Sequence, residues 1–408
     1  MDITVWVVFA FVYLGMILGE IPGLALDRTG IALLGAIAYL ATGHVTGAEA
    51  WGAVDLPTMG LLFGLMVVSA QFRLGGFYSR VTRWLAGVAV GPAAVLAMLI
   101  AVAGALSAVL VNDIICLAMT PVLVEGCARR RLNPVPFLLG LACASNVGSA
   151  ATLIGNPQNM LIGQCLHLSF AGYLADAAVP SILGLAAVWA VIAWSYRGDW
   201  YRQTAIGQVK PPRFNRWQTT KGLAVMAALI VGFLFSSYPR ESLALTGAGL
   251  LLLSRRMSSR QMLGQVDWHL LVLFFGLFVV NHVLAASGAL VQMMDAVAGT
   301  GVQLSRPGWL FAMTAALSNL VSNVPAVMLL LPAAKHPLAG PILALSSTLA
   351  GNLFIVGSIA NIIVVDQAAR LGVRIDWRTH AKVGVPVTLL TLAIAAGWLW
   401  LLATMTAA

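Results

Sequence analysis

Apolar runs long enough to cross a bilayer follow one another along almost the whole chain. They predict helices near residues 3–21, 30–43, 56–72, 89–127, 135–166, 174–196, 222–237, 242–254, 268–285, 307–334, 338–366 and 383–403. Two of them carry a polar break where a spanning helix should have none. In 140–165, GLACASNVGSAATLIGNPQNMLIGQC, the residues Ser145, Asn146, Gly148, Ser149, Thr152, Gly155, Asn156, Pro157, Gln158 and Asn159 crowd together. In 344–368, ALSSTLAGNLFIVGSIANIIVVDQA, the interruption is made by Gly351, Asn352, Gly357, Ser358 and Asn361. Irregular backbone at bilayer depth survives only where it faces protein or a water-filled cavity, so each break marks a site. Paired breaks in corresponding halves point to the binding site of a secondary transporter.

Two further runs, 89–127 and 307–334, are divided near their middles at ALSAVLVNDIICL and ALSNLVSNVPAVML. That pattern predicts helical hairpins that enter and return on the same side, which leaves about ten crossing helices. The halves also match each other. At an offset of 212, residues 30–41 lie over 242–253 and residues 55–68 over 267–280. At 211, Leu106, Ser107, Asn112 and Pro121 fall on Leu317, Ser318, Asn323 and Pro332; at 202, Ser145, Gly155 and Asn159 fall on Ser347, Gly357 and Asn361. The predicted organisation is a first repeat over 1–196, a polar linker over 197–221 and a second repeat over 222–408. Five crossings in each half, an odd number, turn the second repeat upside down relative to the first.

Composition narrows the class. With 60% hydrophobic and 9% charged residues and a mean hydropathy of +0.92, the chain is no soluble globule, whose charged fraction is about 25%. It reads as an all-α polytopic membrane protein, multi-pass in a bacterial inner membrane. The stretch 1–21 lacks a basic start and a small-residue cleavage site, and so reads as the first spanning helix. Net charge +9 follows the positive-inside bias rather than a nucleic-acid partner. With the N-terminus outside, every basic residue except Arg240, Arg306 and Lys335 falls in cytoplasmic loops, the linker included. Cys116, Cys127, Cys143 and Cys165 lack the C-x-x-C spacing of a metal or redox site. No G-x-S-x-G or H-E-x-x-H occurs, so an enzyme is not expected.

The breaks and tips carry the candidate chemistry. Asn156-Pro157 suits the start of a half-helix, with Asn as cap and Pro in the first turn, and Ser358 is placed to cap the half-helix after Gly357. Asn112 and Asn323 at the tips can offer an oxygen to a cation or an amide N–H to an anion; capping alone is the blander role. Asp113 is the carboxylate set deep in a segment, whereas Glu20, Glu125, Asp176, Asp295 and Asp366 fall near ends or in loops. An ionisable residue within the membrane is a functional hypothesis by default, and burial favours a neutral carboxyl, which makes Asp113 the proton-coupling candidate. His282 reads either as a titrating group or as a packed histidine.

At ASNVGSAATLIGNPQN the sequence resembles the ion transporter superfamily, which groups arsenite permeases, NhaD-type Na+/H+ antiporters and divalent anion:sodium symporters. Gly148, Ala151, Thr152, Ile154, Gly155, Pro157 and Asn159 match its G-G-x-A-T-x-I-G-x-P-P-N pattern, while Ser149 and Gln158 depart from it. Tip motifs Val111-Asn112-Asp113 before Pro121 and Ser322-Asn323-Val324 before Pro332 keep the symporters' spacing but lose part of their hydroxyls. The N-D tip is closer to arsenite-permease-like bacterial anion permeases. The resemblance implies an elevator-type transporter, a homodimer in the lipid bilayer, carrying a small inorganic anion or oxyanion of arsenite or antimonite type. No resident cofactor or metal is implied. The coupling ion is H+ or Na+, with a Na+ site near Asn112 and Asn323 as one option. Na+/H+ exchange and sodium-coupled dicarboxylate or sulfate symport fit the same scaffold, and a channel would share the broken helices without needing inverted halves. The expected binding residues are Asn112, Asp113, Ser145, Asn146, Gly148, Thr152, Gly155, Asn156, Asn159, Ser322, Asn323, Gly351, Asn352, Gly357, Ser358 and Asn361.

Overall fold

The computed structural model describes residues 2–21, 23–202 and 212–407, and its regular structure is helical. The first half contains α1 (Ile3–Leu18), α2 (Arg28–Ala41), α3 (Gly47–Gly52), α4 (Leu56–Leu74), α5 (Phe77–Gly87), α6 (Pro92–Val109), α7 (Asn112–Arg129), α8 (Pro134–Ser149), α9 (Pro157–Cys165) and α10 (Phe170–Ser195). The second half follows with α11 (Arg216–Phe235), α12 (Arg240–Leu252), α13 (Ser259–Leu263), α14 (Trp268–Ala286), α15 (Ala289–Gly299), α16 (Pro307–Val321), α17 (Asn323–Leu330), α18 (Ala339–Ala350), α19 (Ile359–Arg370) and α20 (Trp377–Ala407). Part of the predicted linker, 203–211, lies outside the described residues, and α11 already begins at Arg216 within it.

Helix starts and their caps recur at one spacing along the chain. Helices α3, α4 and α5 begin at positions 47, 56 and 77, and α13, α14 and α15 begin at 259, 268 and 289, each shifted by 212. Thr46 with Glu49 and Ser258 with Gln261 form matching capping boxes. Asp55 and Asp267 cap α4 and α14 through their side chains. Gly76 and Gly288 start α5 and α15 with φ of 70° and 76°, a left-handed turn that glycine adopts without a Cβ penalty. The apolar pattern does not predict these short helices, because they are too short to span and in α5 Arg80 and Arg83 interrupt it.

Contacts between the halves are reciprocal. Helix α4 packs on α12 and α14 packs on α2. A methyl at Gly64 would stand 2.7 Å from the carbonyl carbon of Ala244, and one at Gly276 would stand 2.6 Å from that of Ala32. Positions 64 and 276, like 32 and 244, are 212 apart, so partner i meets j and j meets i, the mark of a two-fold relation. Bare backbone brings these helices together. Around this seam α1, α2, α4, α11, α12 and α14 form one group of helices. The other group holds two hairpins, α6–α7 and α16–α17, and two broken helices, α8–α9 and α18–α19, against the long pair α10 and α20. His282 is exposed on α14 rather than packed.

Candidate functional site

Both breaks are bridged by an asparagine in the same way. In the first, Asn156 caps α9, its Oδ1 accepting from the Asn159 N–H at 2.9 Å, with Pro157 in the first turn. The Asn159 amide then reaches back across the break and donates to the carbonyls of Thr152 at 2.9 Å and Ser149 at 3.4 Å. In the second, Asn361 donates to the carbonyls of Gly351 at 2.8 Å and Phe354 at 3.2 Å. Ser149 and Gly351, Thr152 and Phe354, and Asn159 and Asn361 are all related by the one offset that aligns the two breaks in sequence. These two asparagines therefore bridge carbonyls that the interrupted helices leave without an intrahelical donor.

Each broken helix is also tied to the other. The Asn146 amide donates to Asn352 Oδ1 at 2.8 Å and Asn361 Oδ1 at 3.2 Å, and the Ser358 hydroxyl donates to Asn146 Oδ1 at 2.8 Å instead of capping its own helix. Thr348, the counterpart of Asn146 in the second repeat, takes the mirrored place: its hydroxyl accepts from Asn156 at 3.3 Å and Gln158 at 3.1 Å. The hairpin tips dock on this core. The Asn112 N–H donates to the Gly155 carbonyl at 3.2 Å, and the Ser145 hydroxyl donates to the Asn112 carbonyl at 3.4 Å. At the other tip the Ser318 hydroxyl lies against Asn323 Oδ1 and the Ser347 carbonyl. Ser322 turns this tip at φ 76° and ψ 162°, a region almost reserved for glycine and a mark of strain held at functional sites.

A small cavity of about 30 Å3 lies where the four devices meet, lined by Asn112, Asp113, Asn146, Asn156, Pro157, Gln158, Leu270, Ser322, Asn323, Val324, Ser358 and Ile359. That is room for about one water molecule. The N-termini of α7, α9, α17 and α19 converge on it. Each helix N-terminus carries roughly half a positive charge on free N–H groups, so the cavity is electropositive although no lysine, arginine or histidine lines it. Asn112, 4% exposed, lines the cavity, and its buried Oδ1 has no hydrogen-bond partner. The half-buried Asp113 carboxyl lies in the first turn of α7, in the same wall.

Of the residues expected to bind, the structure brings Asn112, Asp113, Asn146, Asn156, Ser322, Asn323 and Ser358 around the cavity. Asn159, Asn361, Gly351 and Asn352 bridge and link the breaks instead. Ser145 and Gly155 seat the first tip, and the Thr152 hydroxyl holds the Ala108 carbonyl of the hairpin. Gly148 lets α8 lie backbone to backbone on Gly104 of α6, and Gly357 packs its bare Cα beside Asn319. Gln158, Thr348 and Leu270 are additions to the expected set. The repeat offset from Asn146 points to Thr348, and Gln158 stands inside the motif; nothing in the sequence marks Leu270.

The two broken helices meet the outer group unequally. At the end of α9, the Arg240 guanidinium donates to the Gly163 carbonyl at 2.7 Å and Gln164 donates to Glu241 at 3.1 Å. Arg28, the counterpart of Arg240 in the first repeat, instead donates to Met16 of α1 at 3.2 Å, while Asp366 near the end of α19 is exposed and pairs with Arg370 at 2.9 Å.

Residues 9–342 match the family model described as citrate transporter, CitMHS. The inner membrane protein YbiR of Escherichia coli K12 is 30% identical over 339 residues, covering 81% of this chain and 85% of its own. The silicon efflux transporter LSI3 of Oryza sativa subsp. japonica is 27% identical, with 95% of each chain covered. An uncharacterized transporter of Mycobacterium tuberculosis is 26% identical over 92% of this chain and 94% of its own. Among solved structures, the crystal structure of the YdaH transporter of Alcanivorax borkumensis, reported for its unusual topology, aligns with a TM-score of 0.60 over 98% of this chain and 97% of its own, at 14% identity. That likeness is one of fold.

Proposed function

The chain belongs to the citrate transporter family of secondary membrane transporters, and we propose that within it this protein carries a small inorganic oxyanion or oxyacid of the arsenite and antimonite type, driven by protons. The lining of the cavity carries this reading: four helix N-termini, amide and hydroxyl side chains and one carboxyl meet there. Backbone N–H groups at helix starts suit an oxygen-rich inorganic solute. A tricarboxylate such as citrate finds no basic side chain to pair with in this lining. The rice relative, named for efflux of silicon, also handles an inorganic element.

Proton coupling rests on Asp113. Val324 occupies the matching place in the second tip, so the site holds one carboxylate and no counterpart. A hard sodium site would want hydroxyl and carbonyl oxygens, and position 111 is Val beside it. Asp113 takes up and releases one proton per cycle as the hairpins and broken helices move, elevator-fashion, against the outer group in a bacterial inner membrane. The test is flux in proteoliposomes of arsenite, antimonite, sulfate and citrate under imposed pH or sodium gradients. Arsenite or antimonite movement that follows the pH gradient and is uncoupled or abolished by Asp113→Asn is expected. Flux that follows sodium, ignores pH and survives Asp113→Asn would overturn the reading.

A further inference from the structure

We propose that Tyr173 and His380, which touch neither the cavity nor each other's break, are a matched pair of positioning residues that hold the two broken helices in register with the site. Ser169 caps α10, accepting from the Gly172 N–H at 3.3 Å, and Asp376 caps α20, accepting from the Thr379 N–H at 2.8 Å. One turn into each helix, at the same distance along the chain from its cap, stand Tyr173 and His380. The Tyr173 hydroxyl donates to the Ala150 carbonyl at 2.7 Å, and His380 Nε2 lies 3.0 Å from the Asn352 carbonyl. Ala150 and Asn352 are themselves counterparts, related by the offset that superposes the two breaks in sequence. A neutral imidazole with its proton on Nε2 makes the second bond as a phenol makes the first. Tyrosine and histidine share no sequence likeness; the repeat keeps a donor at a fixed reach.

Each bond falls on the end of the first half-helix, whose last carbonyls lack intrahelical donors and carry the negative end of the helix dipole. Tyr173 and His380 are each 2% exposed, so no bulk water can replace them. They quiet the negative ends of α8 and α18 while leaving the positive ends of α9 and α19 directed at the cavity. The Tyr173 hydroxyl also accepts from the Asn159 amide at 3.2 Å, which locks the brace to the bridge across the break. Without its donor the orphaned carbonyl is satisfied only by a shift of the break, and that shift carries Asn156 or Ser358 away from the cavity.

The inference rests on the cavity being the transport site, but its first test does not. In the purified full-length protein, His380→Ala should speed amide hydrogen exchange at least tenfold in residues 350–358 and leave 150–156 unchanged; Tyr173→Phe should do the reverse. His380→Gln places an amide N–H where Nε2 stood and should restore slow exchange, whereas His380→Asn, one carbon shorter, should not. In flux assays with arsenite, His380→Ala should raise KM at least threefold and His380→Gln should recover it. Exchange that rises at both breaks or at neither, or His380→Gln behaving as His380→Ala, would overturn the pairing. Local exchange without any change in arsenite KM would leave the brace standing and count against the cargo reading instead.

Discussion

Replacing Asn159 or Asn361 separates a residue that builds the breaks from one that lines the cavity. Asn159 donates to two backbone carbonyls and a phenol oxygen, and its own Oδ1 accepts from Thr348 at 3.4 Å. Its side chain is 0% exposed, as is that of Asn361. Truncation to alanine leaves at least one well-bonded buried carbonyl orphaned, at about 1–3 kcal/mol. The weaker second bond and the lost packing bring the total to roughly 2–4 kcal/mol. Asn361→Ala removes bonds of 2.8 and 3.2 Å and should cost as much. Both variants should show a clearly lowered thermal midpoint in detergent and reduced yield of monodisperse protein. Asn112→Ala gives the contrast: Asn112 lines the cavity and its Oδ1 has no hydrogen-bond partner, so its removal should leave stability within about 1 kcal/mol of the parent while impairing transport. An Asn159→Ala protein that melts like the parent but no longer transports would refute the bridging role and return Asn159 to the binding residues.

The reciprocal seam predicts that Gly64→Ala and Gly276→Ala destabilise by similar amounts, about 1–3 kcal/mol of overpacking less up to about 1 kcal/mol of helix preference. Gly249→Ala, with nothing within 4 Å of its added methyl, should be neutral or stabilising in the same melts. Cys165 is exposed while Cys116, Cys127 and Cys143 are buried. An impermeant maleimide added outside spheroplasts should label the native protein but not Cys165→Ser, and labelling from the cytoplasmic face alone would reverse the topology. In a cysteine-free background, Gln164→Cys with Glu241→Cys should cross-link and arrest transport, and so should the repeat-related pair Thr29→Cys with Asp366→Cys. Cross-linking of the first pair alone would argue against exchange between two states.

The site announces itself in the sequence because polar residues in an apolar run violate the solvent they sit in, and only a cavity or a protein contact excuses them. That logic reaches Asn112, Asn146, Asn156 and Ser358 without coordinates. It does not separate a polar side chain that faces the cavity from one that repairs the backbone beside it, because both are demanded by the same break. Asn159 and Asn361 read as ligands on that ground, and in the structure each bridges backbone carbonyls of its break. Thr348 is hidden because its counterpart is Asn146, a different residue doing the same work. The short helices α5 and α15 are hidden for another reason: each is set by its left-handed glycine and its packing rather than by a long apolar stripe.

Of the pair that holds the end of α9, Glu241 answers to Thr29 in the other half but Arg240 answers to a second arginine, Arg28, yet α9 is docked on Arg240 while α19 is not docked on Arg28. Equivalent residues imply equivalent options. The contact now made at the end of α9 has a counterpart written into the chain, from Arg28 to the backbone of α19 at Val365, which answers to Gly163 in the repeat. Making both at once would pin the broken helices to the outer group at both membrane faces. Making them in turn lets one exchange for the other at little net cost, since each state forms the bonds the other releases. Under the proposed alternating access the cavity would ride with the breaks, since the side-chain bonds that tie the two breaks together lie between the broken helices, while the Ser69 hydroxyl of α4, which accepts from the Val111 N–H of the first tip at 3.3 Å, would release it. Under the proposed alternating access, the rigid part is thus the polar network that the sequence shows first, and the part that exchanges is the docking of the broken-helix ends on the outer group.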